Sequence, residues 1–308
     1  MNKHNPFVRI NIPIISNSET WVPKVSSRRK YSYKNLRTII PFILIMSMIL
    51  NIYYLTRPKP LTLPQLIKNA YQNNPDAKKS DESTPIKINP VDYSKLTDLI
   101  IVPGHGLYKG SNSPLVEKNW DLTPVQKGNV EVYLSHIGKA IEVLQDQHSS
   151  LLLFSGGATR PSSISTESYG YWTAAEKLGW LTPEIAGRAL TENFSTDSYE
   201  NLLFSICRFK EITNSYPDRI TIVGFNYIGI DPPGDISNSI SGEKNNAYSH
   251  FEKDLYGCTK FLKKKKDSRN PTNLQHGYIK SCPELAGLLE YCPKDGKQLY
   301  EGKLPWTI

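Results

Sequence analysis

Four cysteines are spread through the 308-residue sequence and none lies in a C-x-x-C, which argues against a zinc site. There is no Walker A motif and no G-x-G-x-x-G fingerprint. There is no G-x-S-x-G elbow either, because Phe154-Ser155-Gly156 lacks the upstream glycine. Acidic residues are nearly missing from residues 1–37, where eight Lys/Arg face Glu19 alone. The rest of the chain holds 29 basic and 28 acidic residues, so the formal charge of +8 comes almost wholly from that tail. A basic tail on a nearly neutral body is not the pattern of a nucleic-acid-binding domain, and no nucleic-acid partner is expected. At 39% hydrophobic residues the chain is too apolar to be wholly disordered.

The tail gives way to an apolar run, TIIPFILIMSMILNIYYL, 18 uncharged residues from Thr38 to Leu55. As a helix it would be about 27 Å long, close to the hydrocarbon thickness of a bilayer. Pro41 falls in its first turn, where a missing N–H is tolerated, and Tyr53 and Tyr54 fall at the interfacial end. Residues 38–55 are therefore expected to span a membrane once, making the lipid bilayer a partner. The excess of Lys/Arg before the run predicts a cytoplasmic N-terminus and a body on the other side, lumenal in the endomembrane system. The sequon Asn193-Phe194-Ser195 is compatible with that placement. The alternative is a mitochondrial membrane, since the tail is basic, serine-containing and poor in acids. Six prolines between residues 56 and 95 mark a linker, with one short helix expected over 63–71.

From residue 96 to 308, apolar runs alternate with helical patterns. DLIIVPG (98–104), SLLLFSGG (150–157), a short run around Ala189–Leu190 and RITIVGF (219–225) read as strands. Residues 123–147, 167–178 and 198–213 read as helices between them. Strands so alternating with helices predict an α/β domain, a doubly wound and mainly parallel sheet covered on both faces.

In such a sheet ligands bind beyond the carboxyl ends of the strands. The glycine-rich and acidic motifs follow strands one, two and three, so they should converge on one rim. Gly104 and Gly106, with Ser155, Gly156 and Gly157, are candidates to hold an anion through backbone amides. His105 is a candidate donor or base, although a plain turn leaving a strand explains the two glycines equally well. Glu167, Glu192, Asp197 and Glu200 are the acids available to bind hydroxyls or carry a proton. Asp197 and Glu200 have capping-box spacing, so both can also simply start the third helix.

Cys207 falls within an apolar helical stretch and is expected in the core, while Cys258, Cys282 and Cys292 can include one disulfide of unspecified pairing. Lys263–Lys266, beside Lys260 and Arg269, reads as a solvated loop, with contact to anionic lipid or phosphate as the alternative. Neither a metal site nor a cofactor is assigned.

These motifs together resemble the DUF218 domain family, which includes bacterial YdcF-, SanA- and ElyC-like proteins, and within it a fungal, membrane-anchored branch. The resemblance runs from about Leu99 to Phe225. Its most specific part is Glu192-x-x-Ser195-x-Asp197-Ser198-x-Glu200-Asn201, similar to the family's E-x-x-S-x-[ND]-T-x-E-N. The resemblance implies a Rossmann-like fold, with Glu192, Ser195, Asp197, Glu167 and His105 as catalytic candidates. Ser198, Glu200 and Asn201 join the glycine loops as ligand-binding candidates. It further implies a ligand of phosphate or nucleotide character and, if there is turnover, hydrolysis or transfer at a phosphorylated lipid or sugar carrier. The alternatives are a non-catalytic module for a ligand such as S-adenosylmethionine, which one bacterial member is described as binding, or an inactive membrane protein. The last arises because the family's basic, His-bearing helix after the fourth strand has no counterpart. Ile222-Val223-Gly224-Phe225 runs directly into Asn226-Tyr227-Ile228-Gly229-Ile230-Asp231. Two parallel strands need a crossover of about a dozen residues. Either the two runs form one long strand or a helix is absent, and His250 is no evident replacement.

Overall fold

The structure, a computed structural model, describes residues 88–224, 228–229, 241–242 and 244–307. The basic tail, the apolar run 38–55, the expected helix over 63–71 and most of the linker lie outside the described residues. Among the described residues no helix is long and apolar enough to cross a membrane.

The strand-like runs form a parallel sheet. Its strands are β1 (Asp98–Pro103), β4 (Ser150–Ser155), β5 (Ala189–Glu192), β6 (Arg219–Gly224) and a two-residue bridge β7 (Ile228–Gly229), in the order β5-β4-β1-β6-β7. β1 lies at the centre, paired with β4 from Asp98↔Ser150 to Pro103↔Ser155 and with β6 from Asp98↔Arg219 to Ile101↔Ile222. Winding therefore goes outward one way through β4 and β5, then reverses to β6, which puts a topological switch point at the carboxyl ends of β1 and β6.

The continuous apolar character of β1 and β4 has a direct cause. Alternate side chains enter two separate cores. Ile100, Val102, Leu152 and Phe154 pack with helices α1 (Val130–Asp146) and α2 (Glu167–Lys177). Leu99, Ile101, Leu151 and Leu153 pack with helix α3 (Ser198–Thr213) and with Tyr278, Cys282 and Leu285 from the C-terminal segment. Both faces are covered, so no position on these strands can be polar without a buried partner.

Three elements depart from the sequence pattern. The helix expected from Thr123 begins only at Val130, after a single 3-10 turn at Pro124–Gln126 closed by a capping box between Thr123 and Gln126. Gly128 adopts φ +81°, a left-handed conformation that stops this turn from running into α1. A small hairpin pairs β2 (Leu107–Tyr108) with β3 (Trp120–Asp121); four residues carry no periodicity from which to read it. Lys263–Lys266 belongs to helix α4 (Lys260–Ser268), not to a loop, and Lys266 is turned inward.

β6 does not continue as one long strand. It ends at Gly224, and Val223 pairs in parallel with Ile228, four residues intervening. No crossover helix fits in that space, and among the described residues only Val223 and Gly224 of β6 pair with a strand on that outer edge. Cys258 and Cys292 form a disulfide, and Cys207 and Cys282 are free and buried. Cys207 is thus a core residue.

Arg188, just before β5, donates from Nη1 to the carbonyls of Gln147 and Ser150 at 2.9 Å and from Nη2 to Leu144 at 3.0 Å. It caps the end of α1 and joins it to the sheet through charge-assisted bonds. Arg188→Met should lower unfolding stability by about 3 kcal/mol, because three carbonyls lose their donor. Urea denaturation checks this, and a change below about 0.5 kcal/mol would remove Arg188 from this role.

Candidate functional site

The three motifs do meet at the carboxyl ends of β1, β4 and β5, and backbone hydrogen bonds lock them together. Gly104 N–H donates to the Ser155 carbonyl (2.7 Å), Gly156 N–H to Glu192 (3.0 Å) and Gly157 N–H to Ser195 (2.7 Å). The His105 amide donates to the Tyr171 hydroxyl at 3.1 Å. These amides are occupied by protein acceptors. The glycines answer a packing need, since a Cβ on Gly104 would stand 2.7 Å, and on Gly156 3.0 Å, from Cβ of Glu167. The first turn of α2 lies directly on the two loops. Gly106 is held just as closely, against the Leu122 side chain.

Glu192 ends β5 with its carboxylate wholly buried. One oxygen accepts from Phe194 N–H (2.8 Å) and Tyr278 Oη (3.1 Å), the other from Ser155 Oγ (2.8 Å) and Ser195 N–H (3.3 Å). Ser195 Oγ in turn donates to Asn201 Oδ1 at 2.7 Å. Burial raises the Glu192 pKa, opposed by these donors. Glu192, Ser155, Ser195 and Asn201 are thus one closed polar network beneath the rim. Asn193, the sequon residue, accepts from the Thr166 and Ser168 hydroxyls at 2.8 and 2.7 Å and donates to Thr191 Oγ1.

Asp197 caps α3 by accepting from Glu200 N–H at 2.9 Å. The Glu200 carboxylate reaches back one residue further than a capping box, to Thr196 N–H (2.8 Å) and Oγ1 (2.6 Å). Lys266 Nζ bridges the pair, 3.4 Å from Asp197 and 3.1 Å from Glu200. Burial raises the Asp197 pKa, with Lys266 pulling against it. Ser198, the first residue of α3, is exposed. The helix-start role of Asp197 and Glu200 is accordingly visible in their contacts.

The groups that lie over the glycine loops are Glu167, Thr159, Arg160 and His105. Glu167 accepts from Thr159 Oγ1 at 2.7 Å, and Arg160 Nη2 stands 3.9 Å from it. Arg160 also donates to Gln126 (2.8 Å) and faces Asp121 at 3.9 Å, while Gln126 bonds the His105 carbonyl. Arg269, anchored to the Thr196 carbonyl at 2.8 Å, adds positive field at both Glu167 and His105. Burial raises the Glu167 pKa despite Thr159 and the two guanidinium groups. Burial, helped by His136 and Arg269, pulls His105 down to about 3, so its ring is neutral at pH 7. A neutral imidazole, a carboxyl whose pKa burial raises and two cations make an environment suited to an anion and to proton movement.

Sequence reading placed Glu167, His105 and the Ser155–Thr159 motif at this rim but did not single out Arg160, which follows that motif directly. Arg269 reads in sequence only as a neighbour of the Lys263–Lys266 run, and the hundred residues between it and Glu167 give no sign that the two share a field. Among the described residues no group of three or more His, Cys, Asp or Glu side chains is arranged to hold a metal ion.

No family model and no solved structure matches the chain. It is similar to the uncharacterised protein YOR238W of Saccharomyces cerevisiae, 28% identical over 295 residues that cover 97% of that protein but 68% of this chain. Since 68% of 308 residues is about 209, the relative holds residues within the match that have no counterpart here.

A raised carboxyl pKa means the folded chain binds more protons than the unfolded one between about pH 4.5 and the raised value. Glu167 therefore favours the fold at the acidic end, and this contribution is lost as pH rises through that window. Glu167→Gln should flatten the fall in melting temperature from pH 4.5 upward. Identical slopes for the two proteins would show that Glu167 titrates as in the unfolded chain.

Proposed function

We propose that the chain is a DUF218-like domain of Rossmann-like fold, anchored to a membrane through residues 38–55, that binds a phosphate-bearing small molecule at the rim of the sheet. The observation that carries this reading is the pair of guanidinium groups, Arg160 and Arg269, acting on one buried carboxyl, Glu167, that resists ionisation. Arg160 and Arg269, with burial biasing Glu167 toward its neutral form and Asp121 standing 3.9 Å from Arg160, are the groups an anionic ligand would meet. The occupied glycine amides leave the side chains to do this.

In a phosphoryl transfer or hydrolysis, Arg160 and Arg269 would hold the phosphate, Glu167 would give a proton to the leaving oxygen, and the attacking water or hydroxyl would pass its proton to a phosphate oxygen; His105, too weak a base at neutral pH, would serve as a neutral hydrogen-bonding ring. Glu192, Ser155, Ser195 and Asn201 would act from beneath, fixing the loops. The second reading, a binding module without turnover, is favoured by one observation: only four residues separate Val223 from its partner Ile228, too few for the family's His-bearing helix.

Melting temperatures of the purified full chain with polyprenyl phosphate, sugar phosphates, nucleotides and S-adenosylmethionine test both. Phosphate-bearing compounds should stabilise the protein in proportion to ln[ligand], and Arg269→Ala should weaken binding at least tenfold. Phosphate released from any of them supports the enzyme. Stabilisation by S-adenosylmethionine alone, with no product from a phospho-compound, would leave the binding module, and stabilisation by none would end the proposal.

A further inference from the structure

A cavity of about 340 Å³ lies between the loop after β5, the first turns of α3, helix α4 and the segment 270–276. It adjoins a second of about 200 Å³, and the two share Phe204, His276 and the Cys258–Cys292 disulfide among their walls. The loop after β5 separates this space from the glycine loops. Gly157 N–H donates to the Ser195 carbonyl, while the flanking Phe194 and Thr196 line the cavity. None of Glu167, His105, Arg160 and Arg269 lines it, so it is a different site from the one at the rim.

Its walls combine fixed aromatic rings with charges that are already paired. The ring centroids of Phe204 and His276 are 4.5 Å apart, both stand 5.3 Å from Tyr278, and Phe194 meets Tyr278 edge-on at 5.7 Å. Tyr278 is buried and bonded to Glu192, so this aromatic wall is preformed. Of the charged lining groups, Lys263 pairs with Asp267 at 3.3 Å, and Lys266 with Glu200 at 3.1 Å and with Asp197 at 3.4 Å. A charged ligand would have to compete with one of these pairs. His276 supplies the free polar group. Its Nδ1 accepts from Tyr278 N–H at 3.3 Å, and burial lowers its pKa against the pull of Glu200, so the ring is neutral and carries its proton on Nε2. Among the described residues that donor has no hydrogen-bond partner.

An aliphatic occupant would cover the rings but leave the His276 donor without an acceptor once water is displaced. A heteroaromatic ring offers both a π face and an acceptor in its own plane. We infer that this cavity binds an uncharged planar heteroaromatic ring, packed against Phe194 and Phe204 and accepting a hydrogen bond from His276 Nε2–H. The inference does not rest on the phosphate-binding reading, because neither Arg160 nor Arg269 takes part in it.

The test is titration of the full chain with 2-aminopurine, an uncharged purine whose fluorescence falls when it stacks. Saturable quenching with a Kd of about 1 mM or tighter is expected. His276→Phe keeps a ring in place and removes the donor; Phe194→Leu keeps apolar bulk and removes a π face. Each should weaken binding about fivefold or more while leaving the melting temperature of the unbound protein close to that of the parent. Adenine should displace the probe, and cyclohexanol at the same concentration should not. Absence of saturable quenching, or an affinity that neither substitution changes, overturns the inference. So does displacement by cyclohexanol as effective as by adenine, because the cavity would then take any apolar body of that size. The probe carries no phosphate, so failure of phosphate-bearing compounds to bind at the rim would leave this result intact.

Discussion

A carboxylate taken out of water must recover its solvation from the protein, and Glu192 does so with four donors drawn from separate parts of the chain. Ser155 comes from the end of β4, the Phe194 and Ser195 amides from the loop after β5, and Tyr278 from the C-terminal segment. Losing any one leaves part of a buried charge uncompensated, at a cost of about 1–3 kcal/mol. This requirement draws the strand ends together and holds the C-terminal segment against the sheet. The rim above inherits its rigidity, because the glycine loops bond to the carbonyls of Glu192 and Ser195.

The same constraint separates support from chemistry. Ser155, Ser195 and Asn201 face into the network, whereas Glu167 and His105 lie over the loops, where Arg160 and Arg269 act on them. Asp197 and Glu200 begin a helix and are neutralised by Lys266 from α4. The E-x-x-S-x-D-S-x-E-N spacing thus encodes a loop and a helix start that hold a site, with the cations delivered from elsewhere.

The fold was legible for a simple reason. Strands buried on both faces must be apolar throughout, and β1 and β4 announce themselves as such; the helices between them show a regular apolar face. β5, at the edge, has two partly exposed residues in four and left only a faint run at Ala189–Leu190. The hairpin of β2 and β3 left no pattern at all. The short spacing between Val223 and Ile228 was legible too, because chain length between parallel strands is a matter of geometry rather than side-chain chemistry.

The sequence by itself determined the α/β alternation, the carboxyl-end location of the polar motifs and the gap after Phe225, since each depends on composition and spacing along the chain. Only the tertiary structure decided which acids face inward, that the glycine amides are already occupied, and that Cys258 pairs with Cys292. It also brought Arg160, Arg269 and Glu167 into one field. Those outcomes depend on the direction of side chains and on contacts between distant segments, and neither is written in local order.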